Sequence, residues 1–163
     1  MMPGFLAPLS RQLWHRDGGN MMIEFALALP VLSIMLLGML DLGRYGLDKS
    51  AMLQGAREGA QFGTLAPNSP NLSATDLTNV NTTAQVSTGL TGVTATSSLF
   101  CECTSGTPVS CTSTCTGGLK HYITVTTTKP FTSVVGTAGL NFGSMGRWIA
   151  PTSISASVTM ILQ

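Results

Sequence analysis

The longest apolar run of the chain lies near its N-terminus, over residues 21–40, and contains one charged residue, Glu24. An α-helix rises about 1.5 Å per residue, so a run of this length matches a hydrocarbon core roughly 30 Å thick. A carboxylate inside such a span is costly in lipid and normally has a partner. The pattern therefore predicts one membrane-spanning helix. It also indicates that Glu24 has a function other than anchoring the protein in the membrane.

Helical spacing continues beyond the apolar run. Residues 41–64 contain no proline. Apolar or small residues recur there at roughly helical spacing, at Leu42, Tyr45, Met52, Ala56 and Ala60. We expect one long helix from about residue 21 to residue 64, bent near Pro30, whose ring removes a backbone N–H from the hydrogen-bond ladder.

Three glycines repeat every four residues in the second half of this helix. Gly55, Gly59 and Gly63 therefore form one strip without side chains. They are either a chance cluster of residues that weaken a helix, or a surface at which a sheet or a second helix approaches closely. The spacing alone leaves both interpretations open.

The pattern changes after residue 64. Residues 67–70 contain two prolines and end the long helix. A short helix should follow, with its N-cap at Ser73 or Thr75 and its end by Gly89. The period then changes to two, which predicts strands over residues 93–103, 122–129 and 154–162.

Alternation within two of these strands predicts which residues face inward. One buried face should carry Ile123, Val125 and Thr127, and the other Ile154, Ala156, Val158, Met160 and Leu162. Residues 131–150 should be mostly loop, with apolar side chains tucked under the sheet edge: Phe131, Leu140, Phe142 and Trp148. The expected fold class is α+β, a long N-terminal transmembrane helix packed on a small antiparallel β-sheet.

Four cysteines lie close together with the spacing C-x-C-x7-C-x3-C, at Cys101, Cys103, Cys111 and Cys115. Zinc sites prefer C-x2–4-C knuckles at both ends, and no histidine lies inside this run, so we expect no metal. An even number of cysteines on the exported side of a membrane anchor indicates disulfides. The nested pairing, Cys103–Cys111 with Cys101–Cys115, fits a hairpin best. The crossed pairing, Cys101–Cys111 with Cys103–Cys115, stays open.

Charge is scarce in this chain. Charged residues make up 9% of the sequence and the formal net charge is +1, so bulk electrostatics point to no nucleic-acid partner. His15 lies in the N-terminal stretch and His121 at the start of a strand, and the acidic residues downstream are too few and too scattered to propose a catalytic dyad. No glycine-rich phosphate loop follows a strand. We expect neither enzymatic activity nor a bound cofactor.

The residues that precede and open the apolar run form a junction with a distinct pattern. Gly18 and Gly19 are followed by Asn20, and Glu24 is the fifth residue after Gly19, with Phe25 next to it. This stretch resembles the leader junction of type IV prepilins. Two further stretches, Leu29-Pro30 and the run AREGA at residues 56–60, make it most similar to the TadE-like minor pilins of tight-adherence pilus systems.

The resemblance implies three parts. These are a prepilin-type leader over residues 1–19, a transmembrane and assembly helix over residues 20–64, and an exported, disulfide-containing head over residues 65–163. A prepilin peptidase would cut between Gly19 and Asn20, and the remaining chain would cross the inner (cytoplasmic) membrane once, with its C-terminal domain outside the cytoplasm. The resemblance also favours close packing as the explanation of the glycine strip.

The resemblance further implies partners. These are prepilin peptidase, other pilins or minor pilins, an inner-membrane assembly platform and membrane lipid, with Glu24 and Phe25 as assembly residues. Because Asn20 stands where type IV pilins begin with an aromatic residue, a minor subunit is favoured over a bulk one. The alternative is a single-pass, signal-anchored envelope protein whose outer domain binds a partner without entering a filament. Glu24 separates the two, since an anchor alone has no use for it.

The first prediction concerns processing. A peptidase must admit the residue on the carbonyl side of the scissile bond, so a small residue is required there. We expect Gly19→Ala to be processed poorly and a bulkier residue at position 19 to block maturation. Mass spectrometry of the mature N-terminus measures this, and a chain that still begins at Met1 in the presence of the peptidase would contradict it.

Overall fold

The computed structural model describes residues 20–104, 106–134, 136, 140–141, 144, 146–149 and 151–162. Within them lie two helices and six strands. The elements are α1 (Asn20–Leu65), α2 (Ala74–Ser87), β1 (Thr94–Cys103), β2 (Pro108–Val109), β3 (Leu119–Pro130), β4 (Leu140–Asn141), β5 (Arg147–Trp148) and β6 (Ser153–Leu162). The expected α+β class is confirmed, while the leader predicted over residues 1–19 lies outside the described residues.

The chain divides into two compact units, an N-terminal unit, Met1–Met39, and a C-terminal unit, Leu40–Gln163. The described part of the N-terminal unit is the first part of α1, whose side chains over residues 21–37 are exposed. Pro30 lies inside this helix. Among the described residues, α1 is the one helix long and apolar enough to cross a membrane, judged by length and composition alone.

The C-terminal unit contains a four-stranded antiparallel sheet in the order β2-β1-β3-β6. The predicted alternation in β3 is confirmed, because Ile123, Val125 and Thr127 are all fully buried. In β6 the inward-facing residues Ile154, Ala156 and Leu162 are buried as well. Branched side chains and threonines suit these positions since they pack well on a pleated, half-buried surface.

The second half of α1 packs against this sheet and α2. One core cluster joins α1 to α2 and the sheet, and its buried residues include Ala56, Ala60, Val80, Ala84, Ile123 and Val125. The other joins Met52 of α1 to Phe131, Ile154 and Ala156. Tyr45 meets the Phe131 ring edge-on, with ring centroids 5.7 Å apart. Of the five residues that recur at helical spacing here, Leu42 is 72% exposed and does not join the core.

Helix α2 begins with a capping box. The Ser73 hydroxyl accepts a hydrogen bond from the Asp76 N–H, and the Asp76 carboxylate accepts one from the Ser73 N–H. These bonds satisfy amide groups that a helix start leaves unpaired. Hydrogen bonds from Asn68 first, and then from Ser73, hold the pKa of the Asp76 carboxyl below its usual value. Of the two predicted N-caps, Ser73 is the one used.

The segment over residues 131–150 differs in part from the expected loop. It contains a short two-stranded sheet in which β4 pairs with β5, Leu140 opposite Trp148. Phe131 is buried. The predicted burial of Leu140, Phe142 and Trp148 concerns side chains that lie outside the described part of the structure.

The disulfides are confirmed, but the nested pairing favoured from the sequence was wrong. The bridges are Cys101–Cys111 and Cys103–Cys115, with Cα–Cα separations of 5.1 and 5.5 Å. The pairing follows from where the hairpin turns. Cys101 lies opposite Val109, and the Cys103 N–H donates to the Thr107 carbonyl at 3.1 Å.

Because that turn is tight, Thr107 is the residue next to Cys103, and Cys111 lies four residues further along the returning chain. Cys111 is therefore close to Cys101 and not to Cys103. A second turn follows, in which the Ser113 N–H donates to the Ser110 carbonyl at 2.9 Å. It returns the chain, so that Cys115 reaches Cys103. The crossed pairing is therefore a consequence of two consecutive turns where the nested pairing assumed one.

Candidate functional site

The residues predicted for processing and assembly fall at the start of α1. Gly19 lies outside the described residues, and Asn20 is the first residue of the helix. Glu24 and Phe25 lie in the N-terminal unit and are exposed, Phe25 by 64%. Positions 20 and 24 are one helical turn apart, so groups there face the same side of the helix.

The glycine strip is where α1 and α2 approach closely. A Cβ added at Gly55 would lie 2.5 Å from the Ala84 carbonyl oxygen, and one at Gly59 would lie 2.6 Å from the Ala84 Cβ. At Gly63 the nearest atom would be the Ile123 Cδ1, at 2.9 Å. Real Cβ atoms do not come this close to their neighbours, so only glycine at positions 55 and 59 leaves α2 its present position against α1. At Gly63 the neighbour is the end of a side chain, which can shift more easily.

A polar contact lies beside the same helix pair. Hydrogen bonds from the side chains of Ser87 on α2 first, and then Gln54 on α1, hold the pKa of the Glu58 carboxyl below its usual value. Because the pKa is lower in the folded protein, this stabilisation is fully present above the ordinary pKa of glutamate. It is lost as the pH falls through the folded value.

Asp41 is a buried acidic residue at the start of the C-terminal unit. It is 3% exposed, and its carboxylate accepts hydrogen bonds from the Ser133 hydroxyl and from the Val134 N–H, the latter at 2.9 Å. A buried carboxylate is tolerated when its oxygens are hydrogen-bonded. The contact therefore ties the segment after β3 to α1.

Three further contacts join α1 to the sheet. Lys129 of β3 forms an ion pair with Asp48 at 2.7 Å, and the Lys49 ammonium donates to the Ser155 carbonyl of β6. The buried Thr127 hydroxyl donates to the Met52 carbonyl at 3.1 Å. Together with the Asp41 contacts, these hydrogen bonds and the ion pair hold about three turns of α1 against the rest of the C-terminal unit.

Sequence reasoning missed this set of polar contacts. Each joins residues that are far apart in the chain, so no local spacing indicates them. Asp41 offered the one available signal, because it is the first charged residue after the apolar run. Thr127 was assigned to the inward face, but its bond to a helix carbonyl depends on where α1 lies.

The disulfide-bonded end of the sheet brings three potential ligand groups together. Cys101, Cys111 and His121 have ligand atoms within 4.8 Å of one another, and the Cys101 sulfur lies 3.4 Å from Nδ1 of His121. Both sulfurs are joined in a disulfide, so neither is the thiolate that a metal ion requires. In this oxidised form the group does not fit a metal.

A family model described as TadE-like protein matches residues 19–61 of the chain. The matched segment contains the Gly19–Asn20 junction, Glu24 and the first two glycines of the strip, and it ends before Gly63. No curated protein and no solved structure shows a significant match to the chain. The resemblance found in the sequence is thus confirmed for the segment that includes the apolar run and most of α1.

The close approach predicts the effect of Gly59→Ala on stability. The new Cβ would lie 2.6 Å from the Ala84 Cβ and 3.0 Å from the Val80 carbonyl oxygen. Overpacking of this kind costs about 1–3 kcal/mol, whereas alanine gains up to about 1 kcal/mol over glycine in a helix. We expect a net loss in the free energy of unfolding, measured by denaturant titration of the full-length chain in detergent.

Gly46→Ala is the matched control, because among the described residues no atom beyond the local helix backbone lies within 4 Å of a Cβ added at that position. It should raise the free energy of unfolding by up to about 1 kcal/mol. Stabilisation by both substitutions would contradict the tight contact between α1 and α2.

Proposed function

We propose that this chain, TadE-like over residues 19–61, is a minor pilin or pilin-like subunit of a tight-adherence type IV pilus. It takes part in pilus assembly after a prepilin peptidase cleaves between Gly19 and Asn20. Its role is structural, and it requires no cofactor. The observation that carries the proposal is the family match, which spans both the junction and the apolar run.

The apolar helix supports a single-pass location in the inner membrane, with the C-terminal domain outside the cytoplasm. The helix satisfies the length and composition for a span, and the two disulfides suit an oxidising compartment. Membrane lipid would surround the apolar run before assembly. Other pilins and the assembly platform would replace that lipid in the filament or at its base.

Glu24 can pair with the amine that cleavage creates at Asn20. Cleavage before Asn20 creates an α-amine, whose reference pKa is about 7.7–8.0 and which is therefore largely protonated at neutral pH. Burying either this ammonium or the Glu24 carboxylate alone costs several kcal/mol after relaxation. In an axial stagger of subunits, Glu24 of one copy meets the Asn20 amine of its neighbour, and each charge compensates the other.

The same two groups also have an option within one subunit. The Asn20 amine and Glu24 are one turn apart on the helix, so they can neutralise each other before assembly. This lowers the cost of holding them in the membrane until a neighbour arrives. A signal-anchored envelope protein would use the same apolar helix as its anchor. In such a protein, however, the Glu24 carboxylate would have no function.

The proposal predicts a separation of phenotypes for Glu24→Gln. Insertion and cleavage should stay near the wild-type level because the helix becomes more apolar, whereas incorporation into the pilus machinery should fall. N-terminal mass spectrometry measures cleavage, and sheared filaments from cells that lack the wild-type protein measure incorporation.

Glu58→Gln is the matched control, since it removes a carboxylate from the same helix outside the apolar run. It should be cleaved and incorporated like the wild type. Normal cleavage together with normal assembly of Glu24→Gln would refute the assembly role and leave the signal-anchor alternative.

A further inference from the structure

The two disulfides differ in their surroundings. Cys101 is 1% exposed, while its partner Cys111 is exposed. Cys103 and Cys115 are both partly buried. One bridge is therefore asymmetric, with one cysteine in the core and the other at the surface.

His121 adds a second asymmetry to the same bridge. It lies directly opposite Cys101 in the pairing of β1 with β3, and its Nδ1 is 3.4 Å from the Cys101 sulfur. Among the described cysteines, Cys101 is the one whose sulfur has this imidazole contact. A ring N–H can donate a hydrogen bond to sulfur, and such a bond is stronger when the acceptor is an anionic thiolate.

We propose that Cys101–Cys111 is a thiol–disulfide exchange site, opened from the Cys111 side by a dithiol oxidoreductase. Cys101 is the leaving thiolate and His121 is the positioning residue that stabilises it. The inference is independent of the pilus role, because it rests on the surroundings of this bridge.

The exchange balances as a two-electron reaction. A thiolate of the oxidoreductase attacks the Cys111 sulfur, the bond to Cys101 breaks, and the electron pair leaves on the Cys101 sulfur. The second thiol of the oxidoreductase then attacks the sulfur of the first oxidoreductase cysteine, which is bonded to Cys111 in the mixed disulfide. This step releases Cys111 as a thiolate. Cys101 and Cys111 end as two thiols, which take up the two protons of the dithiol, and the oxidoreductase ends as a disulfide.

The two cysteines of this bridge differ in the two properties that govern exchange. Exchange rates depend on which sulfur can be reached and on how well the leaving thiolate is stabilised. Cys111 supplies the access, and Cys101 with His121 supplies the leaving group.

The first experiment locates the attack. Full-length protein in detergent is treated with limiting dithiothreitol, alkylated, fully reduced and alkylated again with a heavier reagent. Peptide mass spectrometry should show Cys101 and Cys111 opened several-fold faster than Cys103 and Cys115. With the monothiol glutathione, the mixed disulfide should form on Cys111. Equal opening of both bridges, earlier opening of Cys103–Cys115, or an adduct on Cys101 would overturn the proposal.

The second experiment tests His121. His121→Gln should slow the opening of Cys101–Cys111 several-fold, because a leaving thiolate that is less well stabilised leaves more slowly. The opening of Cys103–Cys115 should not change. Tyr122→Phe is the matched control, because Tyr122 is the adjacent strand residue and stacks on Phe100.

The direction of the His121→Gln effect separates the two roles that this side chain could have. Loss of thiolate stabilisation slows the opening, whereas loss of mere shielding exposes Cys101 and speeds it. An unchanged or faster opening would therefore overturn the role of His121. The glutathione experiment uses wild-type protein alone. It therefore tests the site of attack even if the His121→Gln variant does not fold.

Discussion

The close backbone approach of α1 and α2 is the constraint on which the C-terminal unit depends. Gly55 and Gly59 leave room for the backbone and side chain of Ala84, and this lets Val80 and Ala84 enter the core cluster that holds Ile123. With a side chain at either glycine, α2 would have to move outward and lose contact with β3. A residue that weakens an isolated helix is therefore required here by packing.

The same helix meets two different demands along its length. Its second half is a core element of the C-terminal unit, attached by the buried Asp41, by the Asp48–Lys129 ion pair and by the Thr127 hydrogen bond. Its first half, in the N-terminal unit, presents apolar side chains with one carboxylate among them. In the proposed function, the first half engages lipid and other pilins while the second half carries the exported domain.

Local sequence patterns predicted the features that depend on neighbouring residues alone, such as strand alternation and helix capping. Period-two alternation identified the buried faces of β3 and β6, and the capping residue Ser73 was one of two predicted. The cysteine pairing could not be predicted this way, because it depends on a second turn at Ser110 and on a hairpin register fixed by hydrogen bonds. The polar contacts of α1 were missed for a related reason, since each joins positions that only the folded chain brings together.

In the proposed function, the first half of α1 contacts other pilin helices after cleavage. Photocrosslinking from position 25 detects such contacts directly. Phe25 is 64% exposed on α1, so a benzophenone amino acid can replace it next to Glu24 without displacing a packed neighbour. We expect adducts with pilus subunits in cells that contain the prepilin peptidase, and loss of these adducts in cells that lack it. Adducts with lipid alone, equal in both kinds of cell, would refute the assembly role of this helix.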